Sequence, residues 1–190
     1  MRKQRNIEAY TDGSCVPNPG IGGWGWVMYE KPTKYVILNP FTPLRWVDSG
    51  GSNISTNNEM ELIAMAEFLE FCPLGVKANI WSDSQYVLAG IIGKDNKTLT
   101  RVNVNPQGWL RGWLHPEKVY KVGTKNTKDY WRNDVLKNSD SWYRIHQSLL
   151  KHTINGSILN FCWAKGHSGV EGNDKADQLA NEYRKSMRKI

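Results

Sequence analysis

Four stretches spread over most of this chain each bring one acidic residue into a polar motif. They read Tyr10-Thr-Asp-Gly-Ser-Cys15, Thr56-Asn-Asn-Glu-Met-Glu-Leu62, Trp81-Ser-Asp-Ser-Gln-Tyr-Val87 and Gly166-His-Ser-Gly169, the last running on to Asn173-Asp-Lys-Ala-Asp177. Asp12, Glu61, Asp83 and Asp177 meet only if the fold carries distant segments to one place. Four carboxylates gathered there repel one another unless cations lie between them, which points to divalent metal. The arrangement outlines a metal-dependent phosphodiesterase site.

Glu61 sharpens this reading. At 100° per residue on a helix, Glu59, Glu67 and Glu70 share one polar flank, whereas Glu61 falls between Met65 and Phe68 within the apolar stripe. A carboxylate there costs several kcal/mol if buried without a partner, so it should face a cation or a strong donor. An Arg or Lys at the core edge is the structural alternative to a metal. Glu59 by the same geometry reads as solvated. Asp12-Gly13 is also ordinary turn chemistry, and Ser-Asp-Ser before a helix is ordinary capping. Asp177 lies near the edge of the apolar stripe of its helix, and Asp174 competes for the fourth place while pointing further toward solvent. His167 sits among three glycines in a loop before that helix, where a mobile imidazole suits a proton carrier or a gate for product release. His115, His146 and His152 have no comparable surroundings and are given no role.

The elements imply an α/β architecture. Strands are expected over Ile7–Asp12, ended by Asp12-Gly13, over Gly22–Glu30, and within Tyr35–Ser49 with an interruption at Pro40 and Pro43. A helix follows over Asn58–Phe71, with Ser55, Thr56 and Asn57 as capping candidates and Pro73 as its stop. A strand over Lys77–Ser82, helices over Ser84–Ile92 and Ser139–Lys151, a strand over Ser157–Trp163 and a helix over Asn173–Met187 complete the order. Three strands in an antiparallel meander, then strands set parallel by helical crossovers, make a five-stranded mixed sheet flanked by helices. In open sheets of this kind ligands gather at the carboxyl ends of adjacent strands. Both Asp12 and Asp83 are expected there.

A length of 190 residues suits one domain over 1–190, with an insertion at about 93–138. No apolar run approaches the ~20 residues that span a bilayer, and Met-Arg-Lys-Gln-Arg-Asn leads into no signal-peptide core. A cytoplasmic protein with no membrane partner is therefore expected. Cys15, Cys72 and Cys162 form neither a disulfide framework nor a CxxC zinc pattern. The net charge is +7, and the stretch 94–137 alone holds ten Lys or Arg against four Asp or Glu. It also holds Trp109, Trp113 and Trp131. Cations interleaved with flat rings suit a nucleic-acid backbone and its bases.

These motifs, in this order and at these distances, resemble the type 1 ribonuclease H family; Trp163-x-Lys-Gly-His-Ser-Gly and Asp-Ser-Gln-Tyr-Val are among them. The resemblance runs from about Ile7 to about Tyr183, apart from the loose middle. It implies a ribonuclease H-like fold and an endoribonuclease that hydrolyses the RNA strand of RNA/DNA hybrids, leaving 3′-hydroxyl and 5′-phosphate ends. It further implies that Asp12, Glu61, Asp83 and Asp177 hold two Mg²⁺ ions, with Mn²⁺ as a substitute, and that His167 assists proton movement or product departure. By motif position Cys15, Asn18, Asn57, Asn58 and Gln85 would contact the hybrid's minor groove, where 2′-hydroxyls distinguish RNA from DNA. Thr56 and Asn57 would also hold a DNA-strand phosphate. The insertion, with Trp109, Trp113 and Trp131, resembles the family's substrate-binding protrusion but is longer than usual. Glu59 is a second departure, since many bacterial members carry arginine there; the phosphate pocket would then be weaker, or another cation such as Arg101 or Arg111 would supply it. A monomer is expected. Resolvase- or integrase-like nucleases and a non-catalytic hybrid-binding module are the competing readings. The first usually lack Gly-His-Ser-Gly together with Asp-Ser-Gln-Tyr-Val, and the second would have lost a carboxylate.

Overall fold

The protein is described here by a computed structural model, which describes residues 4–31, 44–93, 100–101, 110, 137–167 and 169–188. Strands β1 (Asn6–Cys15), β2 (Gly20–Lys31) and β3 (Leu44–Ser55) form an antiparallel meander. Helix α1 (Asn57–Phe71) carries the chain to β4 (Lys77–Ser82), which lies parallel to β1. After α2 (Gln85–Ile91) come the two-residue strand β5 (Thr100–Arg101), α3 (Ser139–Ile154), β6 (Ile158–Trp163) and α4 (Glu171–Met187). The sheet order is β3-β2-β1-β4-β6-β5, with β6 parallel to β4 and the short β5 antiparallel at the edge. The five long strands are the mixed sheet expected from the sequence.

The boundaries of β1 and β3 differ from expectation for a physical reason. β1 does not stop at Asp12-Gly13 but continues to Cys15, because β2 goes on pairing with it down to Cys15 opposite Gly22. It is the parallel partner that ends: the last β1–β4 pair is Thr11 with Ser82. Asp12 and Asp83 therefore leave the parallel ladder side by side. The third strand starts at Leu44, directly after Pro43, and runs through Gly50-Gly51 to Ser55 rather than ending by Ser49. Its pairing with Trp24 and Gly23 holds these glycines extended. The expected beginning of that strand, at 35–43, lies outside the described residues.

One face of the sheet (Ile7, Ala9, Trp26, Met28, Ala78, Ile80, Leu159, Phe161) packs on α1, α2 and α3 in one continuous core, with Phe68 and Trp142 fully buried. α1 starts where Thr56, in extended conformation, accepts the Glu59 N–H at 3.3 Å, and ends before Pro73, which cannot continue a helix. Its opposite end is clamped by His152, whose Nε2 lies 3.0 Å from the Leu69 carbonyl and whose Nδ1 lies 2.9 Å from Ser157 Oγ. The other face of the β1–β3 half is covered by α4, which can approach because β2 is glycine-rich. A Cβ on Gly23 would come within 2.2 Å of the Ala180 carbonyl, and one on Gly25 within 2.6 Å of Leu179 Cβ.

Candidate active site

The site lies where β1 and β4 part. Asp12 projects from β1, Asp83 follows the last residue of β4, and Glu61 comes from the second turn of α1. α1 reaches β1 there because Gly13 has no side chain: a Cβ on it would lie 2.3 Å from the Glu61 backbone nitrogen. One carboxylate oxygen from each of Asp12, Glu61 and Asp83 lies within 4.8 Å of the others. At an effective dielectric of about 20, two unit charges ~4.8 Å apart repel by roughly 3.5 kcal/mol, so the trio cannot be fully ionised without compensation.

Its protonation shows this strain. Burial, and after it the charges of Asp83 and Asp177, pushes the Asp12 carboxyl up to about 8, against the pull of the Gly13 N–H on its Oδ1 at 2.8 Å. Glu61 is raised well above the usual carboxylate range, first by burial of its carboxyl and then by Asp12 and Asp83. Although the residue as a whole retains some exposure, its Oε2 atom is sealed from solvent and has no hydrogen-bond partner. Asp83 is raised chiefly by burial, with His167 pulling the other way. An all-oxygen donor set, closely spaced, with a buried oxygen left unpaired, fits a hard divalent cation.

Asp177, on α4, borders the trio: it is close enough to Asp12 for its charge and a side-chain hydrogen bond to raise that group. Its Oδ2 lies 3.9 Å from His167 Nδ1. Asp174, the competitor, is exposed in the first turn of α4. His167 is 81% exposed and takes a left-handed backbone conformation, φ 52°, uncommon for a residue with a side chain. Its loop folds back on the site, since a Cβ on Gly166 would lie 2.6 Å from Asp83 Oδ2.

Three of the expected substrate-contacting residues form one hydrogen-bonded corner. Asn57 Oδ1 accepts the Cys15 N–H at 2.6 Å, and Asn18 Oδ1 accepts the Asn57 N–H at 3.2 Å. The Cys15 side chain is buried, its thiol turned to the carbonyls of Pro17, Gly20 and Ser55. Thr56 is the helix cap, and Asn58 and Gln85 are exposed at the starts of α1 and α2. Glu59 is not simply solvated as its helical position suggested: its Oε2 accepts from Ser55 Oγ at 2.9 Å, a contact with the residue just ahead of the helix. Trp109, Trp113, Trp131 and Arg111 lie outside the described residues, as does most of the basic insertion. Arg101 is described through its backbone, in β5.

Some supports of the site carried no signal that the motifs alone disclosed. Trp163 Nε1 donates to the Asp83 carbonyl at 3.3 Å, and the Ala164 N–H to the Ser82 carbonyl at 3.0 Å, holding the end of β4 against that of β6. Behind Asp177 stand Asn181, Arg184 and Ser14.

With a mixed sheet and an acidic cluster at the ends of its parallel strands, the molecule has the form of an α/β nuclease. The chain belongs to the RNase H family, whose profile it matches over residues 4–185. It is 34% identical to the protein named Ribonuclease H from Hahella chejuensis, over 93% of this chain and 92% of that one. Its fold is similar to that of LC9-RNase H1, described as a type 1 RNase H with the type 2 active-site motif: TM-score 0.67, 18% identity, 98% of this chain and 75% of that one. It is similar also to LC11-RNase H1, solved in complex with an RNA/DNA hybrid: TM-score 0.53, 20% identity, 95% and 98% covered. Among the described residues no helix is long and apolar enough to cross a membrane.

Proposed function

We propose that this protein is an endoribonuclease that hydrolyses the RNA strand of RNA/DNA hybrids, leaving 3′-hydroxyl and 5′-phosphate ends. The observation that carries the proposal is the unpaired, buried Glu61 Oε2 beside Asp12 and Asp83. Family membership and the names of the relatives support the substrate class. Asp12, Glu61, Asp83 and Asp177 would hold two Mg²⁺ ions, with Mn²⁺ able to replace them. When bound, such a pair supplies an activated water and a counter-charge for the departing 3′ oxygen.

The chain's own residues would do the rest. Burial and mutual repulsion make Asp12 and Glu61 hold their protons more tightly than usual in the metal-free state, so metal binding there would release protons. His167, exposed beside Asp177, would assist proton movement or product departure. Asn18, Asn57, Asn58 and Gln85, with the Cys15 backbone, would line the minor groove of the hybrid and meet its 2′-hydroxyls. Thr56 and Asn57 would take a DNA-strand phosphate. Glu59 stands next to that place; its tie to Ser55 Oγ holds it toward the helix start. The basic insertion at about 93–138, with Trp109, Trp113 and Trp131, would grip the DNA strand within a single domain over 1–190. A monomer acting in the cytoplasm completes the reading.

The decisive assay uses one labelled RNA/DNA hybrid beside the same RNA unpaired and a DNA duplex. With Mg²⁺ the protein should cut only the hybrid's RNA, and EDTA should stop it. Asp83→Asn should lower turnover by orders of magnitude and retain hybrid binding. Equal turnover in that variant would remove Asp83 from the site, and cleavage of unpaired RNA at the same rate would remove the hybrid as substrate.

A further inference from the structure

Asp177 is held from behind by a chain of three side chains. Its Oδ1 accepts from Asn181 Nδ2 at 2.7 Å, and the same amide nitrogen donates to the Asp177 carbonyl at 3.1 Å. At the other end of that amide, Asn181 Oδ1 accepts from the Ser14 hydroxyl and from Arg184 Nη2, each at 2.9 Å. Arg184 Nε closes the loop by donating to Ser14 Oγ at 3.1 Å. Ser14 stands on β1 two residues beyond Asp12, so the chain joins the strand carrying one acid to the helix carrying another.

The chemistry of these groups leaves one arrangement. A guanidinium only donates and a carboxylate only accepts, so the Asn181 amide must turn its oxygen to Arg184 and its nitrogen to Asp177. Arg184 is 7% exposed, and a guanidinium so buried is costly unless its charge is compensated. Among the described residues no carboxylate stands within ion-pair distance of it. The nearest compensation is relayed: two donors on the amide oxygen polarise Asn181 and strengthen its N–H toward Asp177. Asp177 Oδ1 is thereby tied back, and Oδ2 is left on the His167 side, 3.9 Å from its Nδ1.

We infer that Ser14, Asn181 and Arg184 are positioning residues that fix the orientation of Asp177, and through it the affinity of the site for divalent cations. The inference rests on the proposed role of Asp177 as a metal ligand, and its main readout is metal binding to the apoprotein, which does not depend on the substrate.

The discriminating substitution is Asn181→Asp. It keeps the size of the side chain and an oxygen for Ser14 and Arg184, but it confronts Asp177 with a carboxylate where a donor stood. A new ion pair with Arg184 should keep Tm at or above that of the wild type. Mn²⁺ affinity measured by calorimetry should fall about 10–100-fold, as for other groups that orient metal ligands. On the hybrid, kcat should fall while KM stays. Ser14→Ala, which removes one donor and no charge, should weaken Mn²⁺ binding in the same direction by less, and it guards against a misfolded Asn181→Asp. Unchanged Mn²⁺ affinity in both variants overturns the inference, as does a fall in Tm without a fall in affinity. Asp177→Asn serves as the reference: if it too leaves Mn²⁺ binding intact, Asp177 is no ligand and the inference fails with that reading. A wild type that binds Mn²⁺ but spares the hybrid refutes the proposed function alone, and the Mn²⁺ affinities still decide the positioning roles.

Discussion

Helix α1 carries two acidic regions that are treated in opposite ways. Toward its C-terminal end Glu67 and Glu70 share Arg144, whose Nη2 lies 2.7 and 2.6 Å from them and whose Nε donates to Glu70 at 2.9 Å. One and a half turns earlier, Glu61 has a buried oxygen with no partner and two further acids facing it. β1 repeats the contrast. Glu8 receives Lys31 Nζ at 2.6 Å, Asn79 Nδ2 at 3.3 Å and the Trp81 indole N–H, while Asp12, four residues on, is crowded by Asp83 and Asp177. Acids that serve the fold come with the protein's own cation or donors. Those at the site have no such partner, and the fold bears their mutual repulsion.

The largest effect expected from this contrast is on the metal-free protein. The Asp12 carboxyl is raised by folding from an ordinary value near 3.8 to about 8, so the folded state binds its proton more tightly than the unfolded state does. The associated stability is present in full below pH 4 and is lost as pH rises toward 8, by up to about 1.4 kcal/mol per unit. Apoprotein Tm should therefore fall across that window. Asp12→Asn should flatten the fall and raise Tm at pH 8 while abolishing turnover, and Mg²⁺ should restore the wild type. A wild-type apoprotein with the same Tm at pH 5 and pH 8 would break the comparison.

A smaller effect is expected at His152, where burial holds the imidazole below its ordinary value and the two ring nitrogens are engaged by Leu69 and Ser157. Here the sign reverses. A depressed imidazole contributes stability above pH 6.5 that is lost as pH falls below it, by at most about 1.4 kcal/mol per unit. Denaturation by urea at pH 7 and pH 5 should show the loss in the wild type and a shallower one in His152→Gln. The smallest effect belongs to Arg144→Ala. Its ion pairs are about one-third exposed on each side, so solvent screening limits the cost to about 1 kcal/mol, less in high salt. Hybrid turnover should not change. A loss of kcat in that variant would mean that the two ends of α1 are coupled, and the separation drawn here would fail.

Much of the scaffold was legible along the chain. The strand Lys77–Ser82 stands where it was expected, and α1 begins one residue earlier than expected, with Thr56 the acting cap of three candidates. These features depend on neighbours a few residues apart, which sequence displays directly. The ends of β1 and β3 did not, because a strand lasts as long as its partner does, and the partner of Gly50-Gly51 is on β2. Glu59 was misjudged for a related reason: a helical wheel does not contain Ser55, which precedes the helix.

For the site the division follows the same physics. Sequence by itself determined that Glu61 interrupts an apolar stripe and that four acids stand in distinctive motifs. Only the tertiary structure decided that Asp12, Glu61 and Asp83 crowd one another, that Arg144 neutralises the acids farther along the same helix, and that Ser14 and Arg184 reach Asp177 through Asn181. Electrostatic cost depends on separation through space, and residues far apart along the chain acquire that separation only when it folds.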